Sequence, residues 1–442
     1  MSQVSLPSGW INLKFTDILD VQGGTQPPKS EFISEKQDGY IRLLQIRDFG
    51  KKPVPTFIPE SKKLKKCSKQ DLLIGRYGAS LGRICTGQEG AYNVALAKVI
   101  YPKEIFLSYI RYYLESEEFQ SPLRLLSRSA QNGFNKEDLS KFIFLLPPYA
   151  EQKIIADKLD DLLARVESIK TRLENIPEIL KRFRQSVLST EFDYEIDDFS
   201  SLKNMELKDI CRSISDGDYQ APPKSNSGIP FLVISDVNKG VVDFDNVVRR
   251  VPLEYYENLK DIRKPDEKDI LYTVTGSFGI PVVITDNAKF CFQRHIAIIK
   301  PNHELIFYKY LYFYLKSPEV FKYAQRVATG TAQKTVSLSN LRKFKIRLPS
   351  IFLQKKVVRK IEALFLYADT IEKKSIEAMK NINQLTQSIL AKAFRGELTA
   401  QWREENPELI SGINSAEALL EKITAEKLAA GTIKKRAKKS SH

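Results

Sequence analysis

Residues 146 to 149 read LPPY, a stretch whose residue types could do chemistry on a DNA base. Enzymes that methylate the exocyclic amine of adenine or cytosine use a loop of the form Asn/Asp/Ser-Pro-Pro-aromatic. In such a loop the first residue accepts a hydrogen bond from the target amine, and the aromatic ring stacks on the flipped base. Leu146 has no acceptor, and GRYGASLG at 75–82 lacks the G-x-G spacing of a turn for S-adenosylmethionine. We therefore interpret the prolines as a helix-start signal.

Two further patterns were candidates for a chemical role. GTAQKT at 330–335 is similar to the end of a phosphate-binding loop, but Gln333 occupies the position that requires the second glycine. The three histidines, His295, His303 and His442, have no metal-ligand spacing. The sequence therefore predicts no catalytic residue and no metal site.

Composition indicates a globular protein with a polyanionic partner. The 442 residues carry a formal net charge of +15, and counting along the chain places basic blocks on both sides of an acidic segment at 146–202. The N-terminus lacks a signal-peptide pattern, and no run of eighteen apolar residues is present, so the cytoplasm is expected. Four cysteines without a C-x-x-C pair indicate reduced, packed thiols.

The second half of the chain is a diverged copy of the first. LLPPYAEQKIIADKLDDLL aligns with RLPSIFLQKKVVRKIEALF, which pairs Leu146 with Leu348 and Gln152 with Gln354. Upstream, QNGFNKEDLSKF aligns with QKTVSLSNLRKF, DLLIGRYGASLG with DILYTVTGSFG, and GTQPPKS with DYQAPPKS. Because the second copy reads LPSI, only a strand end followed by proline is common to both.

A regular apolar pattern follows the prolines in both copies. Its alternating spacing of four and three is typical of a coiled-coil seam. Ala368, Ser375 and Ala378 are small where the first seam is large, so the two helices are predicted to pack on each other. The short link to the second domain favours an antiparallel pair; helices that each pack on their own domain are the alternative. The predicted core positions are Ile155, Leu159, Leu162, Val166, Ile169, Leu173, Ile176, Leu180, Phe183, Val187, Val357, Ile361, Leu364, Ala368, Ile371, Ser375, Ala378, Ile382, Leu385 and Ile389.

The globular blocks read as mixed α/β with short strands, for example at 40–46, 95–101, 230–237 and 295–300. The predicted fold is therefore two tandem α/β domains separated by two long helices that form an antiparallel coiled coil, with a pseudo-two-fold internal repeat. The predicted boundaries are 1–145 and 203–347 for the domains, 146–202 for the central helical spacer and linker, 348–405 for the distal helical spacer, and 406–442 for a charged C-terminal helix and basic tail.

This organisation resembles the specificity subunit of a type I restriction-modification system over nearly the whole chain. The segments AEQKIIADKLDDLLARVESIKTRLENIPEILKRFRQSVL and SILAKAFRGELTAQWREENPE are similar to the subfamily called type IA. The second copy departs from the first at Leu353, where the first has Glu151, so a partner contact made by Glu151 is not duplicated.

The resemblance implies a DNA-binding subunit without catalytic activity. Each target-recognition domain is then expected to read one half of a split DNA sequence, while the helices hold two methyltransferase subunits and set the gap between the half-sites. Methylation and ATP-dependent cleavage belong to the methyltransferase and restriction subunits. The implied cofactors, S-adenosylmethionine, ATP and magnesium, are thus expected on partner subunits and none on this chain.

Polar and basic residues in the glycine- and serine-rich loops are the candidates for contact with double-stranded DNA. Arg and Lys suit guanine edges or phosphates, and Gln and Asn suit adenine edges. In the first domain the candidates are Gln26, Lys29, Arg76, Tyr77, Ser80, Arg83, Gln131, Asn132 and Lys136. In the second they are Tyr219, Gln220, Lys224, Thr273, Thr275, Ser277, Gln293, Arg294, Gln333 and Lys334.

Two other classes of function stay open at this point. A stand-alone DNA-modifying enzyme would methylate or cleave DNA as a purified single chain. A structural coiled-coil protein with non-specific nucleic-acid binding would show no sequence preference in competition binding.

Overall fold

The computed structural model describes residues 6–50, 52–127, 133–192, 203–217, 222–223 and 225–429. The first repeat, residues 6–192, contains ten strands and five helices in this part of the chain. The strands are β1 (Ile11–Lys14), β2 (Asp20–Gly23), β3 (Tyr40–Leu44), β4 (Phe57–Pro59), β5 (Lys66–Cys67), β6 (Leu73–Gly75), β7 (Ile84–Cys85), β8 (Gly90–Tyr92), β9 (Leu96–Ile100) and β10 (Ile143–Leu146), and the helices are α1 (Phe15–Ile18), α2 (Leu107–Glu115), α3 (Glu117–Ser127), α4 (Lys136–Leu139) and α5 (Tyr149–Phe192).

The second repeat, residues 203–394, follows the same order, and a C-terminal segment, residues 395–429, comes after it. The strands are β11 (Lys203–Glu206), β12 (Cys211–Asp216), β13 (Ile229–Leu232), β14 (Arg250–Val251), β15 (Ile270–Thr273), β16 (Pro281–Val283), β17 (Cys291–Phe292), β18 (Ile296–Pro301) and β19 (Lys345–Leu348). The helices are α6 (Leu207–Ile210), α7 (Ile234–Val237), α8 (Leu253–Glu257), α9 (Tyr308–Leu315), α10 (Pro318–Val327), α11 (Leu338–Arg342), α12 (Ile351–Phe394), α13 (Ala400–Glu405) and α14 (Ala416–Ala429).

Matching sheets confirm the internal repeat. In the first repeat one antiparallel sheet has the order β2-β9-β6-β7, and in the second the order is β12-β18-β15-β16. A second sheet is β4-β3-β8-β5 in the first repeat and β14-β13-β17 in the second, with a parallel pair, β3 with β8 and β13 with β17. The strand before each long helix pairs with the first strand of its repeat, β1 with β10 and β11 with β19.

The two long helices begin where the prolines predict. Helix α5 begins at Tyr149, directly after Pro148, and α12 begins at Ile351, two residues after Pro349; both contain 44 residues. The strand predicted at 230–237 is shorter than expected. Strand β13 ends at Leu232, and the next turn is the short helix α7, because Asp236 caps it by accepting a hydrogen bond from the Val233 amide at 2.8 Å.

The chain divides into two compact units, one formed by Met1–Leu173 with Ala378–His442 and the other by Glu174–Glu377. In the first unit the beginning of α5 and the end of α12 share one apolar core, which includes Leu159 and Leu390. In the second unit the end of α5 and the beginning of α12 share another, which includes Leu188 and Ile361. The beginning of each helix thus packs on the end of the other, which is the antiparallel coiled coil that the sequence predicts.

Aromatic contacts at the helix ends are also repeated. In the first unit the ring of Phe394, the last residue of α12, lies 5.4 Å from the ring of Tyr109 and 6.0 Å from that of Tyr113. In the second unit Phe192, the last residue of α5, lies 5.2 Å from Tyr310 and 5.9 Å from Tyr314. Such ring pairs contribute about 0.5–1.5 kcal/mol beyond the area they bury. Each long helix therefore ends in the aromatic core of the other repeat's domain.

Candidate nucleic-acid interface

The LPPY stretch joins a strand to a helix and does not form a pocket for a base. Leu146 is fully buried in β10 opposite Ile11. The side-chain amide of Gln152 donates through Nε2 to the Pro147 carbonyl oxygen at 2.9 Å, and its Oε1 accepts from the backbone amide of Phe106 at 2.9 Å. With Leu146 in the core, the first position of the motif has no acceptor to offer a base amine.

The second repeat has the same connection between strand and helix, although Ile351 replaces Tyr149. Gln354 donates to the Pro349 carbonyl oxygen at 2.8 Å and accepts from the Phe307 amide at 2.7 Å. Both glutamines are fully buried. Each Gln therefore fixes the start of a long helix to its own domain, which is a structural role that accounts for the repetition of this stretch.

In the first domain, the fold brings the loop at 76–83 against the loop that follows residue 132. The Arg76 amide donates to the Ala95 carbonyl oxygen at 2.9 Å, and its guanidinium donates to the Phe134 carbonyl oxygen at 3.2 Å. Gly133 lies so close to the Tyr77 ring that a Cβ at this position would come within 2.5 Å of it. Arg76 and Tyr77 therefore lie beside the segment that begins at Gly133.

In the second domain, the loop at 274–279 pairs with the loop at 329–336. The Thr335 hydroxyl lies 3.2 Å from the Thr275 hydroxyl, and the Gly276 amide donates to the Lys334 carbonyl oxygen at 3.0 Å. The Val274 amide donates to the His295 carbonyl oxygen at 3.0 Å, which adds the 293–295 turn to the same cluster. Equivalent loops thus come together in both domains.

Most of the described candidates in these loops offer a polar group at the surface. Gln26 and Lys29 are exposed, Tyr77 and Ser80 are partly buried, and Gln293 is partly buried beside an exposed Arg294. Ser277, Gln333 and Lys334 are exposed on the paired loops of the second domain. Five candidates lie outside the described residues: Gln131, Asn132, Tyr219, Gln220 and Lys224.

Thr273 is a wrong candidate. It is only 1% exposed, because it is the last residue of β15 and its side chain turns into the domain. Its hydroxyl accepts from the Ile280 amide at 2.9 Å and so closes the 274–279 loop. Strand β15 lies between β18 and β16, and all four of its residues are buried, so a side chain on either face of this strand lies in the interior.

Three of the basic candidates have partners within the protein. The Arg76 guanidinium also donates to the Val94 carbonyl oxygen at 3.4 Å, so this side chain holds the loops together. Arg83 is exposed and donates to the Phe49 carbonyl oxygen, and Lys136 pairs with Asp20. Among the described residues, no carboxylate pairs with Arg83, whereas the carboxylate of Asp20 offsets the charge of Lys136.

The helix positions predicted to form the coiled-coil core are mostly buried or partly buried, but two are exposed. Ile169 is 45% exposed and Leu385 is 46% exposed, and both belong to the first unit. A strict heptad drifts about 20° per seven residues around an α-helix, so a seam position can turn away from its partner. Leu390, which lies outside the predicted seam, is buried instead.

The carboxylate of Glu151, the residue that Leu353 replaces in the second copy, belongs to the interior of the first unit. Glu151 is 0% exposed and accepts from Trp10 Nε1 at 2.8 Å and from the Thr399 hydroxyl at 2.6 Å, and it forms an ion pair with Arg403. Arg403 also donates to the Gly396 carbonyl oxygen at 2.7 Å. Glu151 therefore connects the N-terminal residues and the C-terminal segment to the start of α5.

A second buried ion pair supports the loops of the second domain. Lys300 donates to Asp269 and to Asp266, each at 2.7 Å. Burial raises the pKa of Asp269, whereas the hydrogen bond from Lys300 acts in the opposite direction. Asp269 directly precedes β15, so this cluster holds the strand that leads into the 274–279 loop.

The described residues contain no group of three or more His, Cys, Asp or Glu side chains that could hold a metal ion. Within the same part of the chain, no helix has both the length and the apolar character needed to span a bilayer.

The structure contains two repeated α/β domains. Each domain carries a cluster of loops and is followed by a long helix. Comparison with known proteins identifies the class of protein that has this organisation. The sequence profile of the type I restriction modification DNA specificity domain matches residues 7–178 and 200–381. The chain belongs to this family. As a member, it carries the DNA sequence specificity of a type I restriction-modification complex.

Individual relatives match over the full length. The chain is 35% identical to the type I restriction enzyme EcoBI specificity subunit of Escherichia coli, covering 99% of this chain and 96% of that protein. It is 34% identical to the EcoKI specificity subunit of Escherichia coli (strain K12), covering 100% of both. It is 31% identical to the StySPI specificity subunit of Salmonella potsdam, again over 100% of both chains.

Solved structures share the fold. A chain from a structural study of complex assembly and conformational transition of the type I R-M system has a TM-score of 0.66 at 19% identity, covering 89% of this chain and 99% of that one. The HsdS subunit from Thermoanaerobacter tengcongensis has a TM-score of 0.57 at 19% identity, with the same coverage.

Proposed function

We propose that each repeat reads one half of a split DNA target, through the loop cluster of its own domain. The observation that carries this proposal is the duplication of one cluster with different residues. The 76–83 loop of the first domain corresponds to the 274–279 loop of the second, and each lies beside a later loop of its domain. A shared framework with different side chains is what recognition of two different half-sites requires.

The long helices α5 and α12 are the proposed docking surface for two methyltransferase subunits, and they set the spacing between half-sites. Large apolar side chains on their surfaces support this role, since exposed apolar groups on a helix mark interaction sites. In the second unit Ile179, Leu366, Tyr367 and Ile376 are each at least 60% exposed. In the first unit the exposed Ile169 and Leu385 extend the same kind of surface.

Catalysis is proposed to belong entirely to the partner subunits. Methyltransferase subunits would supply S-adenosylmethionine chemistry, and restriction subunits would supply ATP- and magnesium-dependent cleavage, with the whole complex in the cytoplasm. The burial of Leu146 supports this division, because the LPPY stretch cannot accept a hydrogen bond from a base amine.

A methyl-transfer assay tests the proposed function. The purified chain, incubated with DNA and labelled S-adenosylmethionine, should give no methylation alone and sequence-specific methylation after addition of its methyltransferase subunits. Methylation by the isolated chain that is abolished by Tyr149→Ala would contradict the proposal. A complex whose methylation shows no sequence preference would support the structural coiled-coil alternative instead.

A further inference from the structure

The second unit contains a groove of about 690 Å³ that the sequence analysis did not assign to any role. The end of α5, the beginning of α10 and the turn after α7 contribute to its walls. Lys239, Lys316 and Lys322 line it together with the neutral polar side chains of Gln185 and Gln325. We call this feature the basic groove.

The lysines of the basic groove keep their positive charge unpaired. Among the described residues, none of the three forms an ion pair with a carboxylate; Lys316 donates to the Tyr312 hydroxyl at 3.0 Å and lies over its ring. Lys239 and Lys322 are exposed. In the part of the chain that the structure describes, no Asp or Glu lines the groove; Glu319, next to the lining residue Pro318, accepts from the Ser189 hydroxyl at 2.8 Å. The groove therefore has a net positive charge.

The beginning of α10 adds to this charge. The ten-residue helix begins at Pro318, which lines the groove, and its N-terminal end carries a partial positive charge from the helix dipole. Ammonium groups around amide side chains and a helix N-terminus form a surface suited to phosphate oxygens.

The basic groove is continuous with the candidate DNA-contacting loop of the second domain. Gly279 lines the groove, only two residues after the exposed Ser277. Between them, the ring of Phe278 stacks on that of Phe321, another lining residue, with centroids 6.0 Å apart. A DNA strand that contacts Ser277 would therefore reach the groove within a short distance along its backbone.

The corresponding helix end of the first domain carries different charged residues. Glu115 takes the position of Lys316 at the end of the preceding helix, and it pairs with Arg111 at 3.0 Å. Glu117, in the first turn of α3, pairs with Arg124. At these described positions of the first domain, the acidic residues neutralise the basic ones.

We propose that the basic groove binds the sugar-phosphate backbone of DNA next to the half-site read by the second domain. This inference rests on the proposed function, because it places the groove on the path of the same duplex. Evenly spaced phosphates match separate ammonium groups, and continuity with the loop favours DNA over an acidic protein segment.

The test is a salt titration of DNA binding by the full-length chain. The variant Lys239→Gln/Lys322→Gln is compared with Lys373→Gln/Lys374→Gln, which removes the same charge from two exposed positions of α12 in the same unit. The probe is a fluorescent duplex of mixed sequence, and the slope of log K against log salt concentration is measured. Because each lost phosphate contact lowers the magnitude of the slope by about 0.9, loss of two contacts in the groove variant should lower it by about 1.8, which corresponds to roughly 60-fold weaker binding near 0.1 M salt.

Each outcome decides between defined alternatives. The control pair should retain the wild-type slope, and Lys239→Arg/Lys322→Arg should retain it too because the charge is kept. An unchanged slope in the groove variant, or an equal loss in the control, overturns the inference and leaves the proposed function intact. A wild-type chain that binds no duplex, with or without methyltransferase subunits, would instead overturn the proposed function. Since both lysines are exposed, circular dichroism should show unaltered folding.

Discussion

At the scale of single residues, the contacts of Glu151 explain one of the positions at which the starts of the two long helices differ. Its carboxylate is fully buried, and removal of a charge from water costs several kcal/mol unless donors compensate. Trp10, Thr399 and Arg403 supply those donors. In the second repeat Leu353 occupies the matching position, and the C-terminal segment that provides Thr399 and Arg403 follows only once in the chain.

Removal of one partner of this buried pair should destabilise the protein strongly. Arg403→Ala leaves the Glu151 carboxylate buried without its counter-charge, so the free energy of unfolding should fall by about 3–5 kcal/mol. Urea denaturation of the full chain measures the change. Arg165→Ala, which breaks an exposed pair with Asp161, is the control and should cost no more than about 0.5 kcal/mol. Equal small losses for both variants would contradict the buried-pair assignment.

The cysteines should be unreactive while the chain is folded. Burial raises the pKa of both Cys67 and Cys85 to about 11 and that of Cys211 to about 12. A raised pKa keeps the thiol protonated, so at pH 8 only about one molecule in a thousand carries the reactive thiolate at Cys67 or Cys85. Labelling with a thiol reagent should be slow in buffer and fast in denaturant. Rapid labelling of Cys67 and Cys85 in the native chain would contradict the burial of these two side chains.

Removal of a basic side chain from the candidate DNA-contacting loops should weaken DNA binding most where no carboxylate of the protein pairs with that side chain. Lys334→Ala and Arg83→Ala should each lower the salt slope of binding by about one, because both side chains are exposed and neither forms an ion pair with a carboxylate in the described part of the chain. Lys136→Ala should change the slope less, since Asp20 already offsets its charge. Fluorescence anisotropy across a salt series measures all three. If Lys136→Ala gave the largest change, the interface would lie elsewhere on the first domain.

At the scale of elements, the helices and the repeat could be predicted from sequence because their signals are long and periodic. A four-three apolar pattern after a proline identifies a helix start, and both starts were found at the same offset in the two copies. Strands near 40–46, 95–101 and 295–300 were also found, as β3, β9 and β18. These segments are apolar and rich in branched side chains, which favour strands.

The parts that could not be predicted depend on tertiary contacts. Thr273 lies in a polar-looking loop sequence, but the end of β15 turns it inward. Glu151 gave only a weak signal, its mismatch with Leu353, because its donors Trp10, Thr399 and Arg403 lie 141, 248 and 252 residues away in sequence. Ile169 and Leu385 fit the seam by spacing alone, whereas the rotation of each helix depends on the domain that it packs against.

A half-length chain ending at residue 202 should dimerise, because α5 then supplies both helices of an antiparallel pair. In such a dimer Phe192 of one copy would take the place of Phe394 on Tyr109 and Tyr113. The half-chain lacks the C-terminal segment, however, so Glu151 would be buried without two of its donors. We therefore expect Glu151→Leu to strengthen the half-chain dimer and to destabilise the full chain.

Light scattering after size exclusion measures the half-chain assembly, and urea denaturation measures the full chain. Glu167→Leu, a change on the exposed surface of α5, is the control and should not show opposite effects in the two contexts. A half-chain that stays monomeric at high concentration would contradict the antiparallel pairing. A Glu151→Leu substitution that weakens both forms would contradict the role of the C-terminal segment.

At the scale of the whole molecule, each compact unit combines elements of both repeats. A unit contains one α/β domain, the beginning of that domain's own helix and the end of the other repeat's helix. The side chains of Gln152 and Gln354 connect each helix start to its own domain by equivalent hydrogen bonds. Each domain is therefore held at both a helix start and a helix end, which is a rigid support for loops that must read DNA at a defined position.

Methylation mapping tests the central claim most directly. The chain, co-expressed with its methyltransferase subunits in cells that lack other DNA methylation, should direct methylation to one bipartite sequence with two defined halves and a fixed unspecified gap. Substitution of Gln333 and Lys334 in the second domain should alter one half only and leave the other half and the gap unchanged. A continuous target, or a change in both halves, would contradict the assignment of one half-site to each domain.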